Sequence, residues 1–254
     1  MKFYEFGEKT APVALLLPGT CCHWKLNFGE VIPFLEQHFH VVCVSYDGFD
    51  ETEDTVFPDM LTEAKKIEAY IQENYGGHIH AAYGCSLGGS FVGLLVLRKN
   101  IRIDHAILGS SDLDQDVPWK AKLKCKVVIP LLHKIVSTGE YPKILQDLME
   151  KKRTPYRDKF MAMFGISNGG LPFMKRESIY NQFYSDLVTP LEDNIAVPGT
   201  TVHCFYAAKM GEEYLRRYQR HFANPVIHSF DMEHEELLVL CPQQWAEKVK
   251  EVCL

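Results

Sequence analysis

The segment Gly84-Cys85-Ser86-Leu87-Gly88 fits the pattern G-x-S-x-G and constrains the fold more than any other part of the chain. Residues 78–83 before it have the composition of a β-strand, and the apolar residues from 90 to 99 after it are suited to a buried helix. A serine in a tight strand-to-helix turn needs glycines two positions before and after it, because the neighbouring backbone approaches closely there. The pattern therefore predicts an exposed, strained serine, with the backbone N–H groups of a helix N-terminus beside it.

Strand and helix patterns alternate on both sides of this segment. Short apolar runs at 13–17, 41–45, 103–108, 201–206 and 226–230 predict buried strands. Helical spacing follows Pro58, where Leu61, Ala64, Ile67 and Ile71 recur every three or four residues. The alternation predicts an α/β fold with a mostly parallel sheet of six strands and helices on both of its faces.

The alternation is interrupted between residues 118 and 190. Four helical stretches (119–136, 142–151, 156–164 and 175–188) follow one another there without an apolar strand pattern between them. We expect a helical cap inserted at 118–190 into a core formed by residues 1–117 and 191–254. Several aromatic and methionine side chains in the cap, such as Tyr156, Phe160 and Met163, suit an apolar ligand, although most are expected to pack the cap onto the core.

This order of elements resembles the α/β-hydrolase superfamily over nearly the whole chain. The segment from Leu15 to Gly19 is similar to the oxyanion loop of that family, with Pro18 at a position where histidine is usual. The segment from Tyr46 to Asp50 resembles the loop after the next strand. The resemblance implies the α/β-hydrolase fold and hydrolysis through a serine nucleophile, with no cofactor.

A nucleophilic serine needs a base, usually a histidine that a carboxylate orients. Among the 11 histidines, His234 alone follows the last predicted strand closely and precedes the final helix, which is where the resemblance places the catalytic histidine. The chain order serine, acid, histidine is typical of this fold. Ser86 and His234 are therefore the predicted nucleophile and base.

The chain has no carboxylate at the position where the family usually has the acid of the triad. The expected position after the penultimate strand falls near Met210, which cannot orient an imidazole. Asp112 is the preferred alternative because some hydrolases of this fold place the acid after the preceding strand. The other open candidates are Asp114, Glu212 and Glu213.

Backbone N–H groups should complete the site. The N–H of Leu87, directly after the serine, and an N–H of Thr20 or Cys21 are the predicted oxyanion donors. The pairs His38/His40 and His78/His80 lack the carboxylate spacing of a metal motif, so no metal is expected.

The composition of the chain limits the classes of molecule that it is expected to bind. The net charge of −6 and the absence of a contiguous basic run argue against nucleic acid, and no segment reaches the ~18 apolar residues of a membrane span. The N-terminal segment lacks the features of a signal peptide. Eight cysteines without framework spacing indicate small buried side chains in a reducing compartment, so we expect a cytoplasmic protein.

Two functions follow from these residues. The first is a serine hydrolase, carboxylesterase-like, acting on a small ester or related acyl substrate through an acyl-enzyme on Ser86. The second is a catalytically degenerate binding protein of the same fold, which the residue Met210 favours. Halide displacement is disfavoured because its nucleophile would be an aspartate.

Overall fold

A central sheet of seven strands organises the computed structural model, which describes residues 1–254. The strands are β1 (Lys2–Phe6), β2 (Val13–Leu17), β3 (His40–Ser45), β4 (His78–Cys85), β5 (Arg102–Gly109), β6 (Thr201–Ala207) and β7 (Val226–Phe230). Their order in the sheet is β1-β3-β2-β4-β5-β6-β7, and only β1 is antiparallel to its neighbour. The predicted α/β fold with a mostly parallel sheet is confirmed, and β1 is a strand that the sequence analysis missed.

Helices cover both faces of the sheet. They are α1 (Trp24–Phe28), α2 (Ile32–Leu35), α3 (Met60–Tyr75), α4 (Leu87–Arg98), α5 (Pro118–Thr138), α6 (Lys143–Lys151), α7 (Pro155–Ala162), α8 (Arg176–Val188), α9 (Glu212–His221), α10 (Glu236–Leu240) and α11 (Pro242–Cys253). Helix α3 begins after Asp59, whose side chain accepts the Thr62 N–H, and ends at the left-handed Gly76. Helix α2 is a single short turn with Pro33 near its start, where a proline needs no backbone N–H.

The core lies in two layers because the strands are apolar on both sides. Leu15 and Leu17 belong to the larger layer, with residues of α3, α4, α5 and α8. Ala14 and Leu16 point to the other face, where Trp245 of α11 packs. A continuous apolar run is thus explained by burial on both faces of a parallel sheet. All eight cysteines are free, and all but Cys241 are buried.

The segment between β5 and β6 contains α5 to α8 and no strand. Its last helix, α8, is joined to the core by three buried side chains on one face of the helix. Ser178 Oγ accepts the Phe57 N–H (3.2 Å), Gln182 Oε1 accepts the Cys21 N–H (2.9 Å), and Ser185 Oγ accepts the Met60 N–H (3.2 Å). By contrast, α6 and α7 contain no buried residue. The cap therefore has an inner helix fixed by buried hydrogen bonds and two outer helices without a buried residue, of which α7 packs on the loop after β7.

We expect this difference to appear in hydrogen exchange. Amides of α8 should exchange as slowly as those of the central strands, because opening α8 would also break its three buried hydrogen bonds to the core, at Cys21, Phe57 and Met60. Amides of α6 should exchange much faster. Peptide-level exchange followed by mass spectrometry measures both, and equal exchange in α6 and α8 would contradict the division.

Histidines of neighbouring strands form a row across the sheet, away from the carboxyl end of β4 where Ser86 lies. His105, His203 and His228 stack with ring centroids 5.4 Å apart, and their ring nitrogens are paired at 3.2 Å. His80 meets His105 at 5.1 Å in an edge-on arrangement. Burial, followed by the neighbouring His105, His228 and Lys248, lowers the pKa of His203 to about 4.

This row of histidines should make the protein sensitive to acid. Between about pH 6.5 and about pH 4, the unfolded chain binds a proton at His203 that the folded chain does not, so the free energy of unfolding falls as pH falls. The His203→Gln variant should lose less thermal stability across this interval than the wild type, measured as Tm against pH. The matched change His133→Gln, in the cap, should follow the wild-type curve. Parallel curves for His203→Gln and the wild type would contradict this role.

Candidate active site

Ser86 occupies a strained backbone conformation between β4 and α4. Its φ of 51° and ψ of −112° are unusual for a residue with a side chain. Its N–H donates to the Gly109 carbonyl (2.8 Å) and to Glu235 Oε1 (3.1 Å), while its carbonyl accepts the Ser111 hydroxyl (2.8 Å). These contacts hold the turn in place, and the serine side chain remains partly exposed.

The two glycines of the motif are required by close backbone contacts. A Cβ at Gly84 would lie 2.0 Å from the carbonyl carbon of Gly88, and a Cβ at Gly88 would lie 2.0 Å from the Leu17 carbonyl oxygen. The predicted close approach of the neighbouring chain is therefore confirmed. It brings the end of β2, and the loop that follows it, against the start of α4.

The predicted oxyanion donors differ in availability. The N–H groups of Leu87 and Thr20 have no acceptor within the protein. The N–H of Cys21 instead donates to Gln182 Oε1 (2.9 Å), so it is already engaged. Leu87 and Thr20 are the two backbone donors that remain free to bind negative charge.

His234 lies in the loop after β7, as expected, but it makes few polar contacts. Phe160 of α7 packs edge-on against its ring at 5.6 Å, and the Tyr156 hydroxyl donates to its backbone carbonyl (2.8 Å). Burial lowers the pKa of the imidazole to about 4, so the ring is neutral at pH 7 and can accept a proton. Its ring makes no direct hydrogen bond to the Ser86 hydroxyl, and no carboxylate lies within ion-pair distance of it.

The expected contact between Asp112 and His234 is absent. The Asp112 carbonyl accepts Arg217 Nη1 (2.8 Å), and the chain turns sharply on either side at Ser110 and Leu113, both with positive φ. Burial and the nearby Asp114 raise the pKa of the Asp112 carboxyl, which disfavours the charged form that a triad acid needs. Asp112 as the acid stays a prediction without a supporting contact.

The alternative acids also lie away from the imidazole. Asp114 pairs with Arg217 at 2.7 Å, and Glu212 pairs with Arg216 at 3.4 Å on the surface of α9. Glu213 is exposed on the same helix, and Met210 lies in the short turn before it. None of these carboxylates orients His234 in this structure.

Glu235 is a site residue that the sequence analysis missed. Its side chain is buried, with Oε1 accepting the Ser86 N–H (3.1 Å) and Oε2 accepting the Tyr83 hydroxyl (2.7 Å). Its own N–H donates to Ser110 Oγ (3.1 Å), and its backbone is left-handed at φ 57°. The residue after the predicted base thereby accepts a hydrogen bond from the backbone N–H of the predicted nucleophile. In the sequence, no signal distinguishes Glu235 from the neighbouring acids Glu233 and Glu236.

One group of side chains could hold a cation. Ligand atoms of His23, Asp50 and Glu51 lie within 4.8 Å of one another. The Asp50 oxygens already accept hydrogen bonds from Tyr4 and Thr52, and His23 Nε2 lies 2.8 Å from Glu51.

A wide cleft in the cap does not reach the serine. It has a volume of about 710 Å³ and is lined by residues of α6, α7 and their flanking turns, and neither Ser86 nor His234 is among them. The apolar wall beside His234 is instead formed by a small cluster of cap and core side chains: Cys22, Met163, Val239, Tyr156, Phe160 and Phe164.

Comparison with solved structures identifies the architecture. A protein of the alpha/beta hydrolase family from Desulfitobacterium hafniense aligns with a TM-score of 0.75 at 18% identity and covers 99% of both chains. The chain has the α/β-hydrolase fold. A lipase-esterase related protein from Clostridium acetobutylicum aligns with a TM-score of 0.68 at 18% identity, over 98% of each chain.

The same fold also carries other chemistry. The enzyme 1H-3-hydroxy-4-oxoquinoline 2,4-dioxygenase aligns with a TM-score of 0.67 at 16% identity, over 99% of this chain and 95% of its own. No protein-family model matches the sequence, and a comparison with curated proteins finds no match. No helix has the length and apolarity needed to cross a membrane. At these identities the fold is shared, and the site residues must decide the chemistry.

The buried Glu235 carboxyl should make stability depend on pH in the direction opposite to His203. Burial raises its pKa from 4.5 to about 7, so the folded chain binds the proton more tightly than the unfolded chain, and stability falls as pH rises through this interval. The neutral isostere Glu235→Gln should lack this dependence of stability on pH. Its Tm should therefore rise relative to the wild type between about pH 4.5 and about pH 7.

The matched control is Glu233→Gln, an exposed acid of the same loop. Its Tm difference from the wild type should not vary with pH. A constant difference for Glu235→Gln as well would show that folding does not raise the pKa of the Glu235 carboxyl.

Proposed function

We propose that this protein is a serine hydrolase, carboxylesterase-like, that cleaves a small ester or related acyl substrate through an acyl-enzyme on Ser86. The observation that carries the proposal is the strained Ser86 turn (φ 51°) with the unpaired N–H of Leu87 directly after it. The similarity in fold to a lipase-esterase related protein supports the same reaction class.

The proposed reaction gives each of these groups one role. Ser86 Oγ attacks the carbonyl carbon while neutral His234 accepts the hydroxyl proton. The N–H groups of Leu87 and Thr20 stabilise the oxyanion of the tetrahedral intermediate. His234 then protonates the departing alcohol, and a water molecule, activated by the same imidazole, hydrolyses the acyl-serine to release the acid and restore Ser86.

Productive geometry requires the imidazole to move within hydrogen-bond distance of Ser86 Oγ, because the two groups make no direct hydrogen bond in the free protein. Catalytic hydrogen bonds commonly tighten only in the substrate complex. The proposed base has the right protonation state for this step, since its pKa of about 4 leaves it neutral at pH 7.

The apolar cluster beside His234 indicates the kind of substrate. Tyr156 and Phe160 of α7 pack on the histidine loop, and Met163 is buried next to them. An apolar acyl or alcohol group would extend this cluster, whereas a charged group would lose its hydration there without gaining a partner. We therefore propose an uncharged ester.

A non-catalytic binding protein is the second candidate, and one observation favours it. No carboxylate contacts His234, so the imidazolium that forms during catalysis lacks the partner that usually stabilises it. Free oxyanion donors and a strained serine have no use in a binding protein, which makes the hydrolase the better supported function.

A fluorophosphonate probe tests the proposal directly. Peptide mass spectrometry should locate the adduct on Ser86, and Ser86→Ala should abolish labelling. His234→Gln should slow labelling by several orders of magnitude because no base remains. An adduct on Cys85, whose thiol is buried with a raised pKa, or no adduct, would overturn the acyl-enzyme mechanism.

The role of Asp112 is tested by the same assay. A triad acid replaced by its amide costs about 10⁴-fold in rate in serine proteases. Because Asp112 does not contact His234, we expect Asp112→Asn to slow labelling by less than about tenfold. Glu212→Gln, an exposed isosteric control, should leave the rate unchanged.

A further inference from the structure

The outer face of helix α5 carries an exposed apolar stripe. Its members recur every four residues and expose 43–70% of their surface: Trp119, Leu123, Val127 and Leu131. The opposite face of α5 is buried, at Ala121, Cys125 and Ile129, and packs on α8. Side chains of this size with that degree of exposure, aligned along three turns, are typical of a binding surface.

The charge of this helix differs from that of the rest of the chain. Helix α5 contains five lysines and no acidic residue, whereas the chain as a whole has a net charge of −6. Lys124 pairs with Asp116 at 2.6 Å, and the other four lysines form no ion pair: Lys120, Lys122, Lys126 and Lys134. The amine of Lys120 lies 5.7 Å from the ring of Trp119.

We propose that α5 binds along the surface of an anionic lipid bilayer, with the stripe from Trp119 to Leu131 inserted at the level of the headgroups. Apolar and cationic side chains in one helix, with a tryptophan at its exposed end, match the two components of such a surface. Tryptophan prefers the membrane–water interface because its ring is amphipathic. The helix lies on the bilayer and does not span it, since its inner face is fixed against α8.

Charge complementarity favours lipid over the other possible occupants. A second copy meeting this face about a two-fold axis would bring the lysines of both copies together, which is unfavourable. Nucleic acid would neutralise the lysines and leave the apolar stripe uncovered. Of these three occupants, the anionic lipid surface alone satisfies the charge and the apolar area together.

Vesicle binding of the full-length protein tests the proposal. Flotation should recover the protein with vesicles of phosphatidylcholine and phosphatidylglycerol, and much less with phosphatidylcholine alone. Added salt should weaken the binding, because the lysine contribution is screened. The tryptophan emission should shift to the blue, reported by Trp119, since Trp245 is 1% exposed and Trp24 stacks on Tyr4. The assay measures binding alone, so its outcome does not depend on catalysis at Ser86.

Variants separate the apolar and the charged contributions. Leu123→Asn with Val127→Asn should abolish binding without lowering Tm, because both side chains are exposed. Removing three charges, at Lys120, Lys122 and Lys126 by Gln, should weaken binding by on the order of 100-fold. The matched control replaces three exposed lysines outside the cap by Gln: Lys9, Lys65 and Lys250.

The proposal fails if the control variant weakens binding as much as the α5 variant, or if neutral vesicles bind equally well. It also fails if sedimentation shows a dimer that the two asparagine substitutions dissociate. Binding to single-stranded DNA that survives those substitutions, without vesicle binding, would identify a nucleic-acid surface instead.

Discussion

The close contact of three backbone segments around Gly84, Gly88 and Leu17 determines how the rest of the site is built. With separations that no side chain could tolerate, the end of β2, the end of β4 and the start of α4 are held together at Ser86. The serine then takes its strained conformation as a consequence of the packing, and the loop after β2 brings the free N–H of Thr20 to the same end of the sheet. Backbone geometry, more than any side-chain contact, makes this place suited to binding an oxyanion.

Burial shifts the pKa values of the predicted base and of Glu235 in opposite directions. It lowers the pKa of His234 to about 4 and raises that of Glu235 to about 7. Both shifts favour the neutral form, as expected where water is excluded. The Glu235 carboxyl bonds to the nucleophile's backbone and to Tyr83, and the imidazole has no ionic partner. At pH 7 the imidazole is therefore neutral and the Glu235 carboxyl is only partly ionised, in keeping with the uncharged substrate proposed.

The sequence predicted those parts of the structure that depend on short-range patterns. Apolar runs identified six strands because buried parallel strands are apolar on both faces, and the glycines around Ser86 identified the turn. Strand β1 was missed because Lys2 and Glu5 break its apolar pattern at the edge of the sheet. Asp112 and Glu235 could not be judged from spacing, because loop backbones with positive φ at Ser110, Leu113 and Glu235 decide where each carboxyl points.

The hydrogen bond between Gln182 and the Cys21 N–H links the cap to the loop that carries a predicted oxyanion donor. The cap helix α8 competes with any bound oxyanion for a donor in the loop after β2. The side-chain nitrogen of Gln182, Nε2, is buried and has no hydrogen-bond partner. The bond from the Cys21 N–H to Oε1 is therefore the contact that holds this side chain at the loop. While α8 keeps this position, the Cys21 N–H is withheld from any ligand. The number of free N–H donors in the loop after β2 therefore depends on the side chain at position 182 of the cap.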